Sequence, residues 1–171
     1  MMLSVRNSTN PPAARRWLAW LVQGFSIDVR SLAVFRMALA VMLLVDLVER
    51  LPDLEAHYTD RGVLPRAARI AMERDGSTFA GSWAWSLHMA TGATAGEAAL
   101  FLLSAMFAVW MLIGYRTRLA TALSWLLAVS LYHRNPMFED AGDIVLRVVL
   151  FWAIFLPLGG TLSVDRRKRR P

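Results

Sequence analysis

Of the 171 residues, 56% are hydrophobic and only 19% charged. A soluble globular domain carries about 25% charged residues, so the shortfall and the long apolar runs imply an integral membrane protein of about four spans. The net charge of +6 does not point to nucleic acid, because the basic residues gather at the ends of apolar runs, where topology determinants sit. With no cysteine, disulfides, thiolate metal sites and cysteine catalysis are excluded.

Residues 1–25 read as a polar tail followed by an amphipathic helix. Pro12 suits a first helical turn, and the apolar part of Ala13-Ala14-Arg15-Arg16-Trp17-Leu18-Ala19-Trp20-Leu21-Val22 is too short to span. It is expected to lie in the interface with Arg15 and Arg16 towards the headgroups. No cleavable signal pattern is evident. Ser26 then reads as an N-cap, and the first span covers about residues 31–48. Arg36 lies six positions past Arg30, so about 9 Å deeper along the helix. It either snorkels back to the interface or makes a contact inside the bundle. Asp46 sits near the other end of this span.

Residues 49–94 form a long connection with turn signals and one or two short helices. Trp83 and Trp85 read as an interfacial aromatic patch. The second span covers about residues 95–113, with Glu97 near its start. Gly114-Tyr115-Arg116-Thr117-Arg118 is a basic turn, and the third span covers about residues 119–132. A polar stretch follows, His133-Arg134-Asn135-Pro136-Met137-Phe138-Glu139-Asp140-Ala141-Gly142-Asp143. The fourth span covers about residues 144–162, with Pro157 expected to kink or end it. Residues 166–171 form a basic tail. The fold expected is all-α: one four-helix membrane domain over residues 26–165.

Placing both termini in the cytoplasm puts Arg15, Arg16, Arg30, the Arg116/Arg118 turn and the basic tail inside, as the positive-inside rule requires. The 49–94 connection and the net-acidic loop from Arg134 to Asp143 then face outwards. This topology sorts buried polar groups by depth. Asp46, Glu97, His133, Asp143 and Arg147 share the outer level. Arg36 occupies the inner level, with Thr121 and Ser124 as neighbours. An unpaired ion at such depth costs on the order of 3 kcal/mol, so pairing is expected: Arg147 with Asp143 one turn earlier, or with Asp46 or Glu97 on neighbouring helices. Such a pair could simply fix helix register. The functional reading is an outward-opening site of His133, Arg134, Asn135, Asp143 and Arg147 for an anionic or polar ligand. His57, His88 and His133 are dispersed and show no metal-ligand spacing.

Three motif groups resemble the horizontally transferred transmembrane (HTTM) domain, the membrane region shared with vitamin K-dependent γ-carboxylases. They are Arg30…Arg36 followed by Tyr58-Thr59-Asp60-Arg61-Gly62-Val63-Leu64-Pro65; Ile113-Gly114-Tyr115-Arg116-Thr117-Arg118 entering a Trp-containing helix; and Arg134-Asn135-Pro136 with Gly142-Asp143…Arg147, Phe155-Leu156-Pro157-Leu158-Gly159 and Ser163-Val164-Asp165. The basic turn also looks like that of DoxX-type four-helix membrane proteins. The resemblance implies, for the carboxylases, a lysine base and reduced vitamin K. The only lysine here is Lys168 in the tail, so a carboxylase-type lysine base is not expected. The function expected is that of a non-catalytic binding or partner subunit in the cytoplasmic membrane, with other membrane subunits as partners and a quinone-like lipid as one ligand class. The alternative is a carboxylase-like or quinone-linked oxidoreductase component.

Overall fold

A computed structural model describes residues 29–75, 85–160 and 162–165. The expected interfacial helix, the Ser26 cap, Trp83 and the basic tail fall outside the described residues. Six α-helices and no strand occur among the described residues. They are α1 (Val29–Arg50), α2 (Leu54–Tyr58), α3 (Arg66–Arg74), α4 (Thr94–Ile113), α5 (Thr117–Arg134) and α6 (Ala141–Ala153). Short 3₁₀ turns at Leu87–Met89 and Pro136–Phe138 join them.

The four longer helices share one core. α4 packs on α1 and α5, and α6 packs on α5 and α1. Leu39, Leu43, Met111, Ala120, Ala128, Leu146, Leu150 and Ala153 fill the space between them. α5 is the most enclosed helix, and its buried face carries Thr121, Ser124 and Ser130. Small residues such as Ala120 and Ala128 let neighbouring helices approach it closely.

The other helices turn apolar side chains outwards: Val34, Val41, Met42, Val45 and Val48 on α1, Leu102, Met106 and Val109 on α4, and Ile144, Val145, Val148 and Trp152 on α6. α1 and α4 are long and apolar enough to cross a bilayer, and only 39% and 28% of their most apolar windows are buried. The core helix of a soluble protein would be mostly enclosed. Apolar faces outside and charged groups inside are the distribution that hydrocarbon favours.

Two of the expected boundaries shift. The helix expected over 144–162 runs from Ala141 to Ala153. Its 13 residues make it about 20 Å long, less than the ~30 Å bilayer core. It starts early because Asp140 and Asp143 form a capping box, each carboxylate accepting the other's backbone N–H at 2.9 and 3.2 Å. It ends early because the chain tightens into three-residue turns, Phe155 N–H to Trp152 O and Leu156 N–H to Ala153 O, before Pro157, whose ring disfavours helix at the preceding residue. The third helix extends to Arg134, so His133 and Arg134 belong to it and not to an outward-facing turn.

The α4–α5 connection is a Schellman close. Gly114 N–H bonds Met111 O, Tyr115 N–H bonds Trp110 O, and Gly114 takes φ +73°. A Cβ at Gly114 would lie 2.6 Å from Arg36 Nη1 and 2.5 Å from Ser163 Cβ, so the position requires glycine twice over.

Candidate functional site

The charged groups inside the bundle fall into three sets. Two share the end formed by the C-termini of α1 and α5 and the N-termini of α4 and α6. The third lies at the opposite end.

The first set centres on Arg50. Its Nε donates to Asp46 Oδ1 at 2.7 Å, Nη1 to the Tyr58 hydroxyl at 2.9 Å, and Nη2 to Asp143 Oδ1 at 2.8 Å. One side chain thus ties α1 to α2 and α6. Tyr132 packs beneath it, with the Arg50 guanidinium 5.3 Å and that of Arg147 4.8 Å from its ring centroid. The expected partners of Arg147 are corrected here. Asp46 and Asp143 are both taken by Arg50, and Arg147 pairs with Glu139 instead. The sequence reading missed Arg50, placing it in the connection because Pro52 closely follows. The signal was present: Arg50 lies four residues past Asp46, one turn along the same helix face.

The second set centres on Arg134, which is fully buried. The 3₁₀ turn Leu87–Met89 docks on α5 through Ser130, whose Oγ accepts the N–H groups of Leu87 at 2.7 Å and His88 at 3.2 Å. Ser86 Oγ donates to Ser130 O at 2.5 Å. Docking carries His88 against α4, where its Nδ1 lies 2.6 Å from Glu97 Oε2. Both side chains are fully buried, and Phe101 abuts the imidazole edge to face at 6.1 Å. Glu97 therefore pairs with His88 and not with Arg147. Arg134 Nη1 donates to Leu64 O at 2.9 Å, and Nη2 lies 3.9 Å from Asp60. Asp60 accepts from Arg66 through its backbone N–H, Nε and Nη2 at 2.7–3.1 Å. Those hydrogen bonds hold the Asp60 carboxyl below the usual carboxylate range.

This places the Tyr58–Pro65 motif residue by residue. Tyr58 receives Arg50, Asp60 receives Arg66, Leu64 offers its carbonyl to Arg134, and Pro65 opens α3. Gly62 is required because a Cβ there would sit 2.1 Å from the Ala56 carbonyl oxygen.

Two more predicted residues lie beside this set with their polar atoms already used. His133 Nδ1 lies 3.1 Å from Trp85 O, and its own carbonyl accepts from buried Arg69 at 3.3 Å. Asn135 Nδ2 donates to His57 O at 3.0 Å while its Oδ1 accepts from Met137 N–H. The predicted grouping of His133, Arg134, Asn135, Asp143 and Arg147 is thus divided. Asp143 and Arg147 belong with Arg50, and Arg134 keeps two of its nitrogens unused. Its Nε and Nη2, with His88 Nε2 and Glu97 Oε1, are buried without a hydrogen-bond partner among the described residues.

Arg36 is the one fully buried charged side chain at the opposite end among the described residues, 0% exposed. It does not snorkel. Nη1 donates to Leu158 O at 3.0 Å, and Nη2 to Leu162 O at 2.7 Å and Leu112 O at 3.4 Å. These carbonyls belong to the end of α4 and the segment after α6, so Arg36 closes that end of the bundle. Thr121 Oγ1 donates to Thr117 O at 2.8 Å, and Ser124 Oγ is buried without a hydrogen-bond partner among the described residues. Ser124 lines a cavity of about 20 Å³ with Asp46 and Ser104, room for one water molecule.

Chemically, the second set is an acid–base couple beside a cation. One proton shared between His88 and Glu97 makes Nε2 an acceptor when the imidazole is neutral and a donor when it is charged. No family model, no curated protein and no solved structure matches the chain.

Proposed function

We propose that the chain is a multi-pass membrane protein of the HTTM type, with both termini in the cytoplasm, that binds rather than transforms its ligand. The observation that carries the membrane reading is the polarity of the bundle, with exposed apolar faces on α1, α4 and α6 around fully buried Arg36, Glu97, His88 and Arg134. The family reading is supported by the way distant motifs meet. The basic turn receives Asp165 at the start of α5, and the Tyr58–Pro65 motif receives Arg50 and Arg134.

In this reading the Arg50 set clamps the helices, whereas His88, Glu97 and Arg134 bind the polar head of a lipid-soluble ligand, a quinone-like molecule being the class that fits paired donors and acceptors in an apolar surround. A second reading, a quinone-linked oxidoreductase component, is favoured by the His88–Glu97 couple alone, since a proton accompanies quinone reduction.

Topology is tested with single cysteines, which the native chain lacks. A membrane-impermeant maleimide applied to intact cells should label Arg61→Cys and leave Arg118→Cys unlabelled. The reverse pattern would overturn the orientation, and labelling of neither after lysis in the membrane fraction would overturn membrane insertion. Binding is tested by native mass spectrometry of protein purified in mild detergent. A small molecule should co-purify with the wild type and with Arg147→Met but not with Arg134→Met. Equal retention in all three would remove the Arg134 set from the binding role.

A further inference from the structure

At the Arg36 end, a groove of about 790 Å³ runs between the α4–α5 turn and the segment that follows α6. Arg116 and Arg118 line one side, and Leu119, Leu156, Pro157 and Leu158 supply apolar wall. Asp165 also borders the groove, but its carboxylate already caps α5. Oδ1 accepts from Arg116 N–H at 2.8 Å, and Oδ2 from Thr117 N–H at 2.9 Å and Thr117 Oγ1 at 3.0 Å. The two arginines are exposed, and neither forms an ion pair among the described residues.

A second observation fixes the depth of this groove. Phe151, Trp152 and Phe155 are exposed and pack on one another with centroids 5.4–6.2 Å apart, directly before Leu156 in the chain. An exposed Trp such as Trp152 is enriched at the boundary between hydrocarbon and headgroups, where arginine side chains also sit. A cationic wall and an apolar wall at that level match a molecule with an anionic phosphate and an acyl chain.

We infer that this groove binds an anionic phospholipid, its phosphate held by Arg116 and Arg118 and one acyl chain laid along Leu119, Leu156 and Pro157. Guanidinium suits phosphate because its planar fork donates two parallel hydrogen bonds. A zwitterionic lipid offers the same phosphate but brings a quaternary ammonium to the cationic wall. The inference rests on the membrane reading above.

The full chain is reconstituted in nanodiscs of phosphatidylcholine, with and without phosphatidylglycerol, and native mass spectrometry counts the lipids that survive release. Phosphatidylglycerol should be retained over phosphatidylcholine by about tenfold or more, the size two interfacial arginines supply. The Arg116→Gln/Arg118→Gln double variant should lose that preference, Arg118→Gln alone should lose part of it, and Arg61→Gln at the other end should keep it. Thermal melting in phosphatidylcholine discs identifies a variant that has failed to fold, in which case Arg118→Gln, whose side chain has no hydrogen-bond or ion-pair partner among the described residues to lose, carries the test. Equal retention of the two lipids, full retention by the double variant, or loss of preference on removing residues 166–171 with both arginines intact would each overturn the site. Failure of the membrane reading looks different, because the chain would then not enter phosphatidylcholine discs at all.

Discussion

The Arg50 set and the Arg134 set occupy the same end of the bundle, and they treat a buried arginine in opposite ways. All three nitrogens of Arg50 have partners, two carboxylates and a phenol, drawn from α1, α2 and α6. Of the three nitrogens of Arg134, one has a hydrogen-bond partner, a backbone carbonyl, and two have none among the described residues. A guanidinium carries five N–H donors in a fixed fork; the first arrangement engages all three nitrogens through three of those donors, and the second engages one. Engaging every nitrogen with a different helix fixes the helices relative to one another. Unused capacity in a dry interior is costly; among the described residues His88 and Glu97 carry it as Arg134 does, and these are the groups that the proposed binding role would use.

The strongest way to break this contrast is Arg50→Met. It leaves Asp46 and Asp143 facing each other without their shared cation, and breaking a buried pair from one side costs about 3–5 kcal/mol. Thermal unfolding in detergent should show the largest loss among the single variants described here. Asp46→Asn/Arg50→Met/Asp143→Asn removes the charges together and should recover most of that loss. If the triple variant is as damaged as the single one, Arg50 is not a charge clamp. Gly114→Ala comes next, at roughly 2 kcal/mol, because the left-handed φ and the contact with Arg36 both resist a methyl group; a shift in melting temperature comparable to that of an ordinary surface variant would show that this end can relax. Arg134→Met should cost less than Arg50→Met by at least about 1 kcal/mol, since fewer hydrogen bonds are lost, while eliminating the co-purifying ligand. Equal destabilisation by the two would make the sets equivalent and dissolve the comparison.

Much of the bundle was legible because long apolar helices announce themselves by length and hydropathy. The α1 and α4 ranges differ from the expected spans by two residues or fewer at each end. α6 was misjudged because Pro157 and the glycines after it sit inside an apolar run: hydropathy continues through Phe155 and Leu156 although helix geometry does not. The polar residues were legible as a group but not as pairs. Depth alone brought Asp46, Glu97, Asp143 and Arg147 together, yet depth cannot say which side of a helix faces which neighbour. Arg50 and His88 settle the pairing, and both lay in a stretch read as an extramembrane connection. The connection is exposed at Asp60 and Arg61 and half-exposed at Arg66, but its 3₁₀ turn folds back to insert His88 beside α4.

The smallest effect, Asp60→Asn, sharpens the comparison at its solvent edge. Asp60 links Arg66 to the underside of the Arg134 set, and more than a third of its side chain is exposed, so screening limits its worth to under about 1 kcal/mol at neutral pH. Its sign is nevertheless definite. Hydrogen bonds from Arg66 lower its pKa in the folded chain below the carboxylate value of about 3.9 that applies when unfolded. The folded state therefore binds the proton less readily than the unfolded state. The stabilisation is complete above the unfolded value and fades as pH falls through the lower folded one. Wild type and Asp60→Asn should differ by a small constant margin from neutral pH down to about pH 5 and converge in the acid limb. A margin that instead grew on acidification would mean that Asp60 binds its proton more tightly in the folded chain, and that burial, which disfavours the carboxylate, outweighs the Arg66 and Arg134 cations.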